Sequence, residues 1–328
     1  MKRLSLIALS FVAPLSVMAQ VVFSDNFSGA STIQSAAPGT PTASATDYEV
    51  FTSGGAPAGY TIGSGTLHFG TPVTASTFAE VQARFPTVNL GNIGDSINLT
   101  LTFVDTANVL GIATGNANSS LNIGLFNSGG VAPNQGARLD STTLVAGGGS
   151  QTWQGYVGRV FLNGNASSFN RKTQTLNGTS SQNQDLLFNG ASGSSSFNSP
   201  SGTTTTGTSG TTGGWNTGLT QSSAYTFSYT ITLTAANAVL INDQVFAGST
   251  ATGTPLWNQS GTSTSGNFLG STFDGLGFGF RYNDTAALGG SLDISGITVT
   301  YNAVPEPSIL ALSGLGLLTL GALRRWKQ

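Results

Sequence analysis

Tyr225-Thr226-Phe227-Ser228-Tyr229-Thr230-Ile231-Thr232-Leu233-Thr234 carries an apolar or aromatic side chain at every odd position and Ser or Thr at every even one. A period of two belongs to a β-strand, whose successive side chains point to opposite faces, so one face packs and the other meets solvent. The same alternation runs through Leu292-Asp293-Ile294-Ser295-Gly296-Ile297-Thr298-Val299-Thr300-Tyr301, with a slip at Gly296. A slip at a glycine predicts a β-bulge, one extra residue in one strand of a pair.

Working outward, alternating runs of Val, Ile, Phe, Tyr and Thr between Gly, Asn and Ser turns predict strands at 21–27, 96–104, 121–126, 153–162, 224–234, 238–246, 275–282 and 291–301. No heptads, long amphipathic helical period or convincing repeat interrupts them. Half-apolar antiparallel sheets bury each other, which predicts an all-β fold: an antiparallel two-sheet β-sandwich of jelly-roll type. The competing β-helix requires a fixed period of about 20 residues, and none emerges when the glycines and asparagines are laid out. Residues 189–223 are almost wholly Gly, Ser, Thr and Asn, as in Gly202-Thr203-Thr204-Thr205-Thr206-Gly207, and supply no buried face. They read as a mobile loop inside one domain spanning 20–303, because neither flank holds a complete sandwich.

Composition narrows the function classes. Charged residues make up 7% of the 328-residue chain, against roughly 25% in an ordinary soluble domain, so hydroxyls and amides must keep the surface wet. With 38% apolar residues and 19 Phe the chain can nonetheless fill a core. Residues 20–303 hold six basic side chains against twelve acids, a net charge of about −6 with no basic patch, which argues against a nucleic-acid partner. The absence of cysteine excludes disulfides, thiolate catalysis and cysteine-ligated metal sites.

The two ends are the most informative segments. Lys2 and Arg3 precede an apolar run at 4–17, and Val17-Met18-Ala19 puts small side chains three and one residues before a cut. This is a signal helix in a signal peptide spanning 1–19, with signal peptidase expected to cut between Ala19 and Gln20. At the other end Val304-Pro305-Glu306-Pro307 is followed by an uncharged stretch at 308–323 and then by Arg324-Arg325-Trp326-Lys327-Gln328. A hydrophobic helix over 308–323 would be roughly 24 Å long, short of a hydrocarbon core of roughly 30 Å but workable as a transmembrane helix if the basic stems snorkel. Arg324, Arg325 and Lys327 would form its stop on the cytoplasmic side. Pro305 and Pro307 lack backbone N–H groups and disfavour helix before them, so the motif should be extended and accessible to a peptidase.

This tail, 304–328, resembles the PEP-CTERM sorting signal, which has a Pro-Glu-Pro motif, an apolar helix with Gly and Leu, and an Arg-rich end in this order. The resemblance implies processing by an exosortase, a membrane cysteine peptidase, in Gram-negative bacteria that make exopolysaccharide and biofilm. It also implies anchorage in the inner membrane before processing, then a place at the cell surface or in the extracellular matrix. The passenger is loosely similar to concanavalin A-like and laminin G-like sandwiches through Phe23-Ser24-Asp25-Asn26-Phe27, Phe273-Asp274-Gly275-Leu276-Gly277-Phe278-Gly279 and a last strand at 297–301.

Chemistry is sparse. A glycosidase needs two carboxyls about 5 to 10 Å apart. The passenger has only Glu49 and Glu80 as glutamates, and a pair drawn from these with Asp274 and Asp284 would have to meet in one cleft. His68, in Thr66-Leu67-His68-Phe69, alternates onto a solvent face. Gly147-Gly148-Gly149 precedes no helix and reads as a turn rather than a phosphate cradle. No cofactor is expected beyond a structural calcium ion, for which Asp25 and Asp293 are candidates. Trp153 lies in a strand and belongs to the core, whereas Trp215 and Trp257 lie in or near Gly/Asn-rich loops where sugar rings could stack. The reading is therefore a non-enzymatic exported envelope or matrix protein among exopolysaccharide. The alternatives are a carbohydrate-binding module and a polysaccharide-active hydrolase.

Overall fold

The computed structural model describes residues 18–28, 48–52, 61–70, 77–106, 120–130, 153–161, 168–172, 187, 197–198, 220, 222–264, 268–282 and 291–304. The expected signal helix, the tail helix at 308–323 and the basic end at 324–328 lie outside the described residues, and no described helix is long and apolar enough to cross a membrane.

Regular structure among the described residues is strand only. In chain order the strands are β1 (Met18–Asp25), β2 (Tyr48–Thr52), β3 (Thr61–Gly63), β4 (Thr66–Gly70), β5 (Thr77–Asn89), β6 (Ser96–Asp105), β7 (Ser120–Asn127), β8 (Gln154–Phe161), β9 (Ser168–Lys172), β10 (Phe197–Asn198), β11 (Ala224–Ala235), β12 (Ala238–Ala247), β13 (Trp257–Ser263), β14 (Thr272–Tyr282) and β15 (Ser291–Ala303). One sheet runs β13-β12-β11-β6-β15-β4-β3, with β1 also paired to β15, and the other runs β10-β9-β8-β7-β14-β5-β2. Every described pairing is antiparallel. This is the expected two-sheet sandwich, and all eight strands read from the sequence are present.

Alternation explains the packing. One row across the first sheet, in register from β13 to β1, is Gln259, Asp243, Tyr229, Leu99, Val299 and Phe23, and all six are buried. Its facing layer in the second sheet includes Val81, Ala83, Ile123, Leu125, Leu276 and Phe278. The bulge expected at Gly296 appears as a register shift between Ile294 and Gly296. It marks a hand-over along one edge of β15, which pairs with β4 at 291–294 and with β1 from 297 onward.

Two expectations change. The Ser/Thr face of β11 was expected to meet solvent, but Thr226 and Ser228 are buried. Asn98 on β6 donates to the Ser228 hydroxyl at 2.8 Å, and the Thr226 hydroxyl donates to the Gly248 carbonyl at 2.9 Å, so neighbouring polar groups cover that face. Phe197 and Asn198, inside the stretch read as a loop without packing, form β10 against Arg171 and Lys172 of β9. The aromatic residue distinguishes this short piece from the hydroxyl-rich sequence around it.

Strand β5, Thr-Phe-Ala-Glu-Val-Gln-Ala-Arg-Phe-Pro-Thr-Val-Asn, was not anticipated because Ala, Glu, Gln and Arg are poor strand markers and Pro removes a ladder donor. Pro86 is accommodated where β14 skips from Val88 to Arg84 in register, beyond the span that β2 covers.

Candidate functional site

The end of β15 brings three distant segments together. Met18, Ala19 and Gln20 of β1 lie opposite Ala303, Asn302 and Tyr301, so the expected signal-cleavage bond sits beside the last strand's final residues. The turn from β5 to β6, Gly91-Asn92-Ile93-Gly94-Asp95, closes over the same end. Asp95 is fully buried there. Its Oδ1 accepts the Val304 N–H at 2.7 Å, and its Oδ2 accepts the Gly91 N–H at 3.0 Å, the Asn92 N–H at 2.9 Å and the Tyr301 hydroxyl at 3.1 Å.

The backbone around that carboxylate is tied to the sheet as well. Gly94 donates to the Leu233 carbonyl at 2.7 Å, and Leu233 donates to the Asp95 carbonyl at 2.9 Å. Gly94 has φ +99°, and a Cβ there would stand 2.8 Å from Val304 Cγ2. Glycine is needed on both counts, for the left-handed backbone and for the close approach of Val304. Burial by itself would raise the Asp95 pKa, but the hydrogen bonds from Asn92, Val304, Tyr301 and Gly91 outweigh it and hold it below the usual carboxylate value. The Tyr301 hydroxyl is shifted the other way, raised by burial and by its hydrogen bond and charge interaction with Asp95.

What leaves the sandwich at Val304 decides the meaning of this junction: the PEP-CTERM protein-sorting motif family matches residues 303–325. The tail is a PEP-CTERM sorting motif. Val304, Pro305, Glu306 and Pro307 open it, and Arg324 and Arg325 close the matched span, with Lys327 just beyond. A PEP-CTERM tail marks an exported protein that an exosortase, a membrane peptidase, processes after transient anchorage.

No curated protein matches this sequence. Among solved structures the chain is similar to winged bean acidic lectin complexed with methyl-alpha-D-galactose, at 9% identity and TM-score 0.39, covering 87% of this chain and 99% of that one. It is also similar to arcelin-5, a lectin-like defense protein from Phaseolus vulgaris, at 10% identity and TM-score 0.39, covering 86% and 98%. The Emp47p carbohydrate recognition domain aligns at 12% identity and TM-score 0.36, covering 81% and 93%.

The other candidate residues fall apart into separate roles. Trp257, expected as a sugar platform, begins β13 and packs in the core at 9% exposure. The correction follows from its register opposite the buried Val245 of β12, where an indole covers the end of the apolar row. Trp215 lies outside the described residues. Trp153 is buried as expected, its ring 6.3 Å from that of Phe126, and a Cβ on Gly275 would lie 2.6 Å from it.

Asp25 and Asp293, the calcium candidates, lie at different levels of the sheet. Asp25 sits opposite Ile297 and accepts the Phe27 N–H at 2.7 Å, whereas the Asp293 carboxylate meets His68 Nδ1 at 2.7 Å. Among the described residues no group of three or more His, Asp or Glu side chains is gathered as a metal site. His68 is on the expected outward face, its side chain 45% exposed, and serves as the partner of Asp293.

Glu80 and Asp274 are also engaged separately. Glu80 accepts from the Gln82 side chain and from the Leu187 N–H at 3.0 Å, while Asn122 donates to the Leu187 carbonyl at 2.6 Å. Asp274 accepts the Ser128 N–H and hydroxyl at 2.5 and 2.6 Å, with Arg84 3.8 Å away. Glu80 lies opposite Gly279, five residues along β14 from Asp274, roughly 16 Å and outside the reach of a two-carboxyl mechanism. Glu49 is opposite Gln82 in register, its side chain outside the described residues, as is Asp284.

Sequence reasoning missed two carboxylates. Asp95 carried only a local signal, an Asp closing a Gly/Asn turn just before a strand. Among the described residues neither carboxylate oxygen of Asp243, in the inner row, has a hydrogen-bond partner, and neither does the adjacent Tyr229 hydroxyl. Burial pushes the Asp243 pKa well above its usual value. The Tyr229 pKa is raised well above its usual value, by burial first and then by electrostatic interaction with Asp243 and Tyr156.

Proposed function

We propose that this chain is a non-enzymatic passenger delivered to the cell envelope or extracellular matrix of a bacterium, where it sits among exopolysaccharide in a biofilm. The observation that carries the reading is the direct junction between a folded β-sandwich and its sorting tail: β15 ends at Ala303 and the Pro-Glu-Pro motif begins at Pro305. In the precursor the tail holds the protein at the inner membrane. An exosortase-type peptidase then removes it, and signal peptidase removes residues 1–19. The released sandwich has few charges and many hydroxyl and amide groups, a surface suited to hydrogen bonding with hydrated polysaccharide rather than to ionic contact.

Glu80 and Asp274, held by separate hydrogen-bond partners, do not form an acid pair with each other. The burial of Trp257 leaves sugar stacking to Trp215 alone among the two residues considered for it.

The test is intact-mass and terminal-peptide analysis of the protein from cell envelope and medium, comparing the wild type with a variant lacking Pro305–Pro307. The expected mature chain begins at Gln20 and loses its apolar tail only when the motif is intact. A tail retained in both forms would reduce it to a simple anchor and remove the sorting step. Binding to exopolysaccharide prepared from the same cells, measured by cosedimentation of the mature chain, tests the matrix assignment.

A further inference from the structure

We infer that Asp95 is a positioning residue for the sorting step: its carboxylate fixes Val304 at the end of the folded sandwich and so presents the Pro-Glu-Pro motif from a defined point. The inference rests on the exosortase reading above and deepens it. Val304 is the first residue of the motif, and its only backbone donor is taken by Asp95 Oδ1 at 2.7 Å. The residue after it is Pro305, which has no N–H and confines Val304 to extended conformations. Asp95 therefore holds the last hydrogen-bonding N–H before the two-proline motif.

The latch spans the fold. Its carboxylate is carried by the β5–β6 turn, which is fastened to Leu233 at the end of β11, and the Tyr301 hydroxyl from β15 meets the same oxygen as Gly91 and Asn92. Gly94 leaves just enough room for the Val304 side chain. These contacts exist only when β5, β6, β11 and β15 are assembled. Motif presentation is consequently conditional on a completed sandwich, which lets the peptidase meet folded passengers in one geometry.

Preorganisation speeds a reaction because the ordering is done before the encounter. Freeing one residue's backbone removes order equivalent to about tenfold in rate. Three variants separate this role from plain stability. Asp95→Ala removes the latch, and insertion of Gly-Ser between Ala303 and Val304 detaches the motif while leaving Asp95 and its other donors in place. Tyr301→Phe removes a donor to the same carboxylate without touching Val304.

The experiment is pulse-chase of tail removal in cells carrying the exosortase, with the melting temperature of each purified sandwich measured alongside. Asp95→Ala and the insertion are expected to slow tail removal by about tenfold, whereas Tyr301→Phe lowers the melting temperature yet keeps the wild-type processing rate. Unchanged or faster processing in the insertion variant overturns the inference, as does equal slowing in Tyr301→Phe, which would assign the effect to stability. A wild-type tail that is never removed would instead defeat the sorting reading itself, so the two failures are distinct.

Discussion

Asp95 and Asp243 are both fully buried aspartates in the same sheet system, yet their surroundings treat the carboxylate in opposite ways. Asp95, at the strand end, receives four hydrogen bonds and has its pKa lowered, while Asp243, in the middle of the inner row, has no side-chain hydrogen-bond partner among the described residues and has its pKa pushed well up by burial. The difference lies in backbone geometry. A turn exposes N–H groups that no strand partner claims, and these can converge on one acceptor. Inside a sheet most N–H groups are spent on the ladder, so few are left to converge on a carboxylate. At Asp243 the facing group is Gly158, where a Cβ would lie 2.6 Å from Oδ2.

Breaking the Asp95 end has the largest expected effect. Asp95→Ala orphans its donors at once and should cost about 3 kcal/mol, allowing for donors that water can reach, seen as a lower denaturation midpoint in urea. Its pH signature follows from its lowered pKa. The ionisation-linked stabilisation is fully present above the usual carboxylate range and is lost as pH falls through the folded-state value, so acid should narrow the gap between wild type and Asp95→Ala.

The opposite sign is expected at the other carboxylate. Asp243→Asn should gain stability relative to the wild type as pH rises, because the unfolded chain ionises Asp243 more readily than the folded one. With a folded-state pKa raised above the unfolded one, the wild type loses stability as pH rises from about 4, and melting curves of Asp243→Asn should lack that decline. A midpoint unchanged by the substitution at neutral pH would show that Asp243 has a charge partner.

Two smaller changes sharpen the contrast. Gly158→Ala should lose about 1.5 kcal/mol by pressing a methyl against Asp243 and the Tyr229 ring, and coupling in the double variant with Asp243→Asn would locate the strain. Tyr301→Phe should lose only about 1 kcal/mol, since Asp95 keeps three of its four donors. Calorimetry on the two single variants would rank them.

The legible part of the fold was the part made of β11 and β15, where apolar and hydroxyl residues alternate and the slip at Gly296 is visible in the chain. Strand β13, Trp-Asn-Gln-Ser-Gly-Thr-Ser, was not legible because it lines the polar end of the inner row, so its buried positions carry Gln259 and Ser263 instead of branched apolar side chains. At the site the sorting motif was legible because a peptidase reads a contiguous segment. Trp257 was misread because a Gly/Asn-rich neighbourhood says nothing about the register of the strand that follows.

The two-sheet architecture, the central strands and the sorting tail were readable from the chain, since each depends on residues close together in it: a period of two, or a motif, an apolar run and a basic stop in order. The fates of Asp95, Trp257 and Asp243 came only with the folded arrangement. Hydrogen bonding and burial there depend on groups far away in sequence, such as Val304 for Asp95 and Gly158 for Asp243, which meet only when the strands take their places.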